Sequence, residues 1–188
     1  DVTVDADAPN SALYPPTTYW PNLSGQLLAF ASDPTSGIAQ AELGVKAPGQ
    51  AGFTRHDMPQ CLDASATGGE SWCPTFTPDG AGTYELTTRV TDLAGNSARS
   101  ATTRQVYVDD APPTLNFGAS RISVFRHPSI QHAWLARISG EVSDPALPDG
   151  AAGSGIPENG VRVSLFGVTD GALIGDGNVT AVVSGATW

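Results

Sequence analysis

The chain of 188 residues repeats itself. Val4-Asp5-Ala6-Asp7-Ala8-Pro9 is echoed by Val108-Asp109-Asp110-Ala111-Pro112-Pro113. Ala31-Ser32-Asp33-Pro34 returns as Val142-Ser143-Asp144-Pro145. Ser36-Gly37-Ile38 returns as Ser154-Gly155-Ile156, after an insertion rich in Ala, Gly and Pro. Ser71-Trp72 has its counterpart in Thr187-Trp188. A constant order with drifting spacing marks two homologous units whose loops differ in length. The boundary falls at Asp110–Pro113, dividing residues 1–110 from 111–188. The first unit runs on from Trp72 through its best strands to Val108, whereas nothing follows Trp188. The first unit therefore reads as complete and the second as lacking its last strands, either by truncation or because a neighbouring subunit completes it in trans. Val161, Val163 and Leu165, with Val179, Val182 and Val183, would line the face left uncovered.

The units read as all-β. Glycine (21) and proline (15) are too frequent for a helical bundle. In Thr83–Thr91, Tyr84, Leu86, Thr88 and Val90 fall on one face, the period of a half-buried strand. Asp92-Leu93-Ala94-Gly95-Asn96 supplies a tight turn, and Arg99–Val108 a return strand. Shorter strands are expected at Gly25–Ser32, Ile38–Val45, Phe53–Met58 and Trp72–Phe76. Short strands at this spacing predict a sandwich or barrel. The one stretch that could form a helix is Ser129–Ser139.

Nine basic residues against 19 acidic ones give a net charge of −10. That disfavours nucleic acid, where a basic stripe supplies most of the affinity, and an anionic membrane surface. No apolar run approaches the roughly 18 residues of a membrane span. Cys61 and Cys73 are the sole cysteines, and the interval between them reads as a loop. Lacking C-x-x-C spacing or nearby further ligands, they predict a disulfide rather than zinc, and with it an oxidising compartment. The sequence starts at Asp1 without methionine or a leader-like stretch, so it reads as a processed product or an excised piece.

G-T-Y-E-L-T-T-R-V-T-D-L-A-G-N, a further strand and then V-D-D-A-P-P resemble the close of a bacterial immunoglobulin-like repeat. S-D-P-T-S-G-I resembles the loop after an early strand of the same repeats. The resemblance implies tandem immunoglobulin-like β-sandwiches from a large secreted or surface-attached bacterial protein. It implies a stalk, adhesin or filament segment whose partners are neighbouring domains of the same polypeptide or a neighbouring subunit. An accessory domain beside a secreted enzyme is the alternative setting. Tyr84, at the start of a long strand after a turn, occupies the setting of a tyrosine corner.

Three groups of residues are candidates for chemistry. Asp33, Asp92 and Asn96 sit in two loops expected at the end where the chain enters, near Asp5 and Asp7. Together they could supply oxygen ligands to Ca²⁺. Equally, the two aspartates could bond their own loop amides as Asx turns. Asp144 and Asp149, near Asp109 and Asp110, would repeat the idea in the second unit without its third loop. Tyr14, Tyr19 and Trp20 form a proline-flanked aromatic group that could stack on a sugar ring or cap the core. His56, His127 and His132 are scattered, G-x-S-x-G is absent and no phosphate loop precedes a helix. The expectation is therefore a non-catalytic chain.

Overall fold

A computed structural model describes residues 4–14, 17–61, 70–117, 122–126, 128–129, 134–157, 160–163 and 179–180, with no helix among them. The chain divides into two compact units, Asp1–Asp110 with Ala146–Ala151, and Ala111–Pro145 with Ala152–Trp188.

In the first unit the strands are β1 (Asn10–Tyr14), β2 (Tyr19–Pro21), β3 (Gly25–Gln26), β4 (Leu28–Ser32), β5 (Ile38–Lys46) and β6 (Thr54–Asp57). They continue with β7 (Glu70–Trp72), β8 (Thr75–Phe76), β9 (Gly82–Asp92), β10 (Ser97–Arg99) and β11 (Arg104–Asp109). One sheet has the order β1-β4-β7 and the other β2-β11-β9-β5-β6, with β10 on β9. A single core joins them in a sandwich-like arrangement. Leu13, Ala29, Ala31 and Trp72 come from the smaller sheet, and Leu43, Tyr84, Leu86, Val90, Val106 and Val108 from the larger.

The alternation along β9 follows its sequence except at Thr87, which is buried on the other face. Tyr84, Leu86, Thr88, Val90 and Asp92 are all buried. β5 pairs with one edge of β9 from Ile38↔Asp92 to Lys46↔Glu85. The other edge is shared. β10 pairs from Ser97↔Thr91 to Arg99↔Arg89, and β11 from Arg104↔Leu86 to Val108↔Gly82. The expected continuous return strand is thus interrupted. At the break the Ser100 hydroxyl meets Thr87 Oγ1 at 2.9 Å and accepts from the Thr88 amide at 3.3 Å. Thr88 is fully buried, and its hydroxyl bonds Ser11 of the opposite sheet at 2.7 Å.

The expected Gly25–Ser32 strand is also split. Leu27 turns into the core and donates its amide to Pro74 O, so β3 pairs with β8 while β4 joins β1 and β7. Gly25 is required here: a Cβ on it would lie 2.3 Å from the Trp20 ring. Trp20, Phe76 and Tyr84 then follow one another edge to face, with centroids 5.8 and 5.3 Å apart. Tyr84 closes a tyrosine corner, accepting from the Asp79 amide and donating to Gly80 O, both at 3.0 Å.

In the second unit the strands are β12 (Thr114–Asn116), β13 (Ile122–Arg126), β14 (Trp134–Ile138), β15 (Glu141–Ser143), β16 (Arg162–Val163) and β17 (Val179–Thr180). They pair as β12-β15, β13-β14 and β16-β17. The helix entertained for Ser129–Ser139 gives way to strand at Trp134–Ile138, in register with β13. Val142 and Val161 are buried, with Ile138, Ile156 and Val163 packed against them. Leu165, Val182, Val183 and the Thr187-Trp188 repeat, on which the expectation of missing strands rested, lie outside the described residues. No helix among the described residues is long and apolar enough to cross a membrane.

The corner makes a first prediction. Tyr84→Phe leaves a part-buried carbonyl and a backbone amide without their partner and should cost about 1 kcal/mol, read as a lower urea midpoint. Tyr107→Phe, whose hydroxyl reaches only the exposed Gln105 side chain, should leave the midpoint nearly unchanged.

Candidate metal centre

Three segments of the first unit converge where β9 ends. The Asp92–Asn96 turn closes the β9–β10 hairpin: Asp92 N donates to Asn96 O at 3.0 Å and Gly95 N to Asp92 O at 3.2 Å. Gly95 holds φ at 93°, a left-handed conformation that suits glycine. The Asp33–Gly37 loop lies beside it because β5 starts in register with Asp92, and Leu93 N donates to Gly37 O at 3.1 Å. The third segment is the extended chain around Asp5, which Asn96 Nδ2 reaches by donating to Asp5 O at 3.4 Å.

Carboxylate oxygens of Asp5, Asp33 and Asp92 all lie within 4.8 Å of one another. Each residue has one oxygen committed to local backbone. Asp5 Oδ1 accepts from Asp7 N at 3.0 Å. Asp33 Oδ1 accepts from Thr35 N at 2.9 Å, Ser36 N at 2.8 Å and the Ser36 hydroxyl at 3.3 Å. Asp92 Oδ1 accepts from Asn96 N at 2.7 Å. The Asx-turn reading is therefore correct as far as it goes. The second oxygens differ: Asp92 Oδ2 accepts from Asn96 Nδ2 at 2.9 Å, whereas Asp5 Oδ2 and Asp33 Oδ2 are buried without a hydrogen-bond partner. Two buried carboxylate oxygens without a partner beside a third carboxylate are costly unless a donor such as water, or a cation, satisfies them. Oxygens this close could be shared by one cation that takes oxygen ligands, such as Ca²⁺.

Of the residues read from sequence, Asp33 and Asp92 come together. Asn96 stands beside them, its side-chain amide donating to the Asp92 carboxylate and to the Asp5 backbone carbonyl. Asp5, which the sequence put only in the neighbourhood, supplies the third carboxylate. Its signal was the Val4-Asp5 stretch before Ala8-Pro9, echoed by Val108-Asp109 before Ala111-Pro112. A groove of about 440 Å³ lined by Asn10, Ser32, Asp33 and Glu70 opens beside the cluster. In the second unit Asp144 echoes Asp33. Its Oδ2 accepts from Gly155 N and the Ser154 hydroxyl, while Oδ1 is buried without a partner. Asp149 does not join it. Its oxygens accept from Thr83 N at 2.6 Å and Ala151 N at 3.1 Å, within the first unit.

The aromatic group divides, with Trp20 taking the core-capping alternative. Trp20 is 7% exposed and faces the core, with its Nε1 donating to Leu23 O at 2.9 Å. The local sequence looks like a loop, but the open space over Gly25 admits the ring. Tyr14 and Tyr19 remain at the surface, and Tyr19 lies against Tyr107 with ring centroids 5.5 Å apart. Cys61 and Cys73 are joined by a disulfide, their Cα atoms 5.1 Å apart.

No protein-family model and no curated protein matches the chain. Among solved structures it is similar to an engineered protein from the Northeast Structural Genomics Consortium, with 16% identity and a TM-score of 0.38. The match covers 53% of this chain and 20% of that one.

The Ser36 amide above all holds the Asp33 carboxyl below its ordinary value of 3.8; burial opposes this, and the Thr35 and Gly37 amides and the Ser36 hydroxyl add to it. A carboxyl depressed on folding stabilises the fold above its unfolded pKa, and the contribution disappears as pH falls through the folded value. The melting temperature should therefore drop on acidification from about pH 5 to below pH 3. The drop should be smaller in Asp33→Asn. Equal acid sensitivity of the two proteins would contradict this.

Proposed function

We propose that the chain is a non-catalytic spacer segment of a large extracellular bacterial surface protein, a stalk, adhesin or filament built from immunoglobulin-like sandwiches in tandem. Its partners are the neighbouring domains of the same polypeptide or of an adjacent subunit. In this reading the first sandwich holds a structural Ca²⁺ through Asp5, Asp33 and Asp92, tying the incoming chain to the loops that end β4 and β9.

The observation that carries the reading is the pair of buried, unpartnered oxygens on Asp5 and Asp33, facing a third carboxylate across the end of the sandwich. A cation there would relieve the repulsion of three like charges and stiffen the point where the polypeptide enters, which is what a load-bearing string of domains requires. Support also comes from the disulfide, which suits an oxidising compartment. The tyrosine corner, a habit of immunoglobulin-like sandwiches, adds to it.

Because the ion would bind the native state alone, it would stabilise by mass action. At a hundredfold excess over Kd the gain is about 2.7 kcal/mol, which for a unit of this size raises the melting temperature by roughly 10 °C or more. The expected result is a higher transition in millimolar CaCl₂ than in EDTA, lost in Asp5→Ala and in Asp92→Asn. Superimposable curves for the unaltered protein would remove the cation from the account.

A further inference from the structure

The insertion in the second copy of the Ser-Gly-Ile loop has a place of its own. Ser36-Gly37-Ile38 follows Asp33-Pro34 after Thr35 alone, whereas Ser154-Gly155-Ile156 follows Asp144-Pro145 only after Ala146–Ala152 and Gly153. Most of that insertion, Ala146–Ala151, packs as part of the first unit. It is a tight turn: Gly150 N donates to Leu147 O and Leu147 N to Ala151 O, both at 2.8 Å, with Gly150 at a φ of 85°. Leu147 is 4% exposed, whereas Ala146, Pro148 and Asp149 around it are exposed.

We propose that the end of β9 is an interaction surface whose partner is this strap of the following repeat. Thr88 N donates to the Ser100 hydroxyl and Thr88 O accepts from Ser100 N. Tyr107, opposite Thr83, donates its amide away from β9 to Thr18 O. Backbone groups alternate in direction along a strand, so Thr83 N faces β5. β5 pairs no further than Lys46↔Glu85, and the chain then turns through Pro48 and Gly49, with Gln50 N donating to Ala47 O at 3.1 Å. The Thr83 amide would stand on an open strand edge, the kind of site that recruits a partner. Asp149 Oδ2 accepts from it at 2.6 Å.

An ionised carboxylate is a stronger acceptor than the peptide carbonyl it replaces. The Thr83 side chain above all, then the amides of Ala151 and Thr83, hold the Asp149 carboxyl below its ordinary value of 3.8, so it is charged at neutral pH. Its other oxygen accepts from Ala151 N at 3.1 Å, which fixes the carboxylate within the turn. Gly82 makes the room: its φ is 138°, and a Cβ there would lie 2.6 Å from Pro48 Cγ and 3.5 Å from Asp149 Oδ2. The Asp33 loop, without an insertion, has no counterpart of Asp149. The strap is thus carried by the second repeat and used by the first unit. It shares no residue with the cation cluster and needs neither the cation nor the spacer role.

Amide hydrogen exchange of the ¹⁵N-labelled full chain tests this. Asp149→Ala, at an exposed position, removes the acceptor. Deletion of 146–152 joins Pro145 to Gly153 and restores the spacing of Asp33-Pro34-Thr35-Ser36. In both, Thr83 exchange should accelerate roughly tenfold or more, well beyond any change at Gly44, which pairs with Thr87 further along β9. Asp57→Ala, which removes an exposed carboxylate bonded to Gln40, should leave Thr83 unaffected. Unchanged Thr83 exchange in either strap variant, an acceleration at Thr83 no greater than at Gly44, or an equal effect of Asp57→Ala would overturn the proposal.

Discussion

Pairing of β9 along both of its edges organises the first unit. An interior strand has no free backbone groups to satisfy, so its inward side chains can be buried completely, and Leu86 and Val90 are. The same strand reaches across the sandwich through the hydroxyls of Thr88 and Ser11, which fixes how the smaller sheet lies over the larger. At one end Tyr84 closes the corner onto Asp79 and Gly80. At the other Asp92 is buried with both oxygens engaged by Asn96. A buried carboxylate is tolerated at that end because the turn that follows is shaped to donate to it.

The gathering of charge at that end follows from the pairing. β5 begins in register with Asp92, so the loop before it, with Asp33, has to lie against the β9–β10 turn. Asn96 then reaches the backbone of the incoming chain at Asp5. Each aspartate is held by local amides through one oxygen, which fixes the direction of the other. The result is a set of carboxylates placed by backbone geometry rather than by flexible side chains, and this is the arrangement a hard, oxygen-seeking cation prefers.

Much of this was legible in the sequence, and the exceptions have physical causes. The β9 alternation was plain because the strand is long and one face is wholly apolar or threonine. Asp33 and Asp92 could be paired because one follows a strand and the other ends one, before loops whose order fits a sandwich. The interruption at Ser100–Thr103 could not be seen, since serine and threonine suit strands as well as bulges; a hydroxyl bonded to β9 decides it. For Trp20 the sequence left a sugar platform and a core cap both open, because Tyr, Pro and Thr surround it; its burial depends on the missing side chain of Gly25. Tyr107, which carries Tyr19, looked like an ordinary strand residue, because only the parallel pairing of β2 with β11 brings the two rings together.

The central claim is that three separate segments form one cation site at the end of β9. Amide chemical shifts of the ¹⁵N-labelled chain during a CaCl₂ titration test it most directly. Saturable changes should concentrate in Asp5–Asp7, Thr35–Gly37 and Asp92–Asn96, moving together with a single midpoint. Small unsaturable changes spread over the exposed aspartates and glutamates, or shifts in one of these segments without the other two, would contradict it.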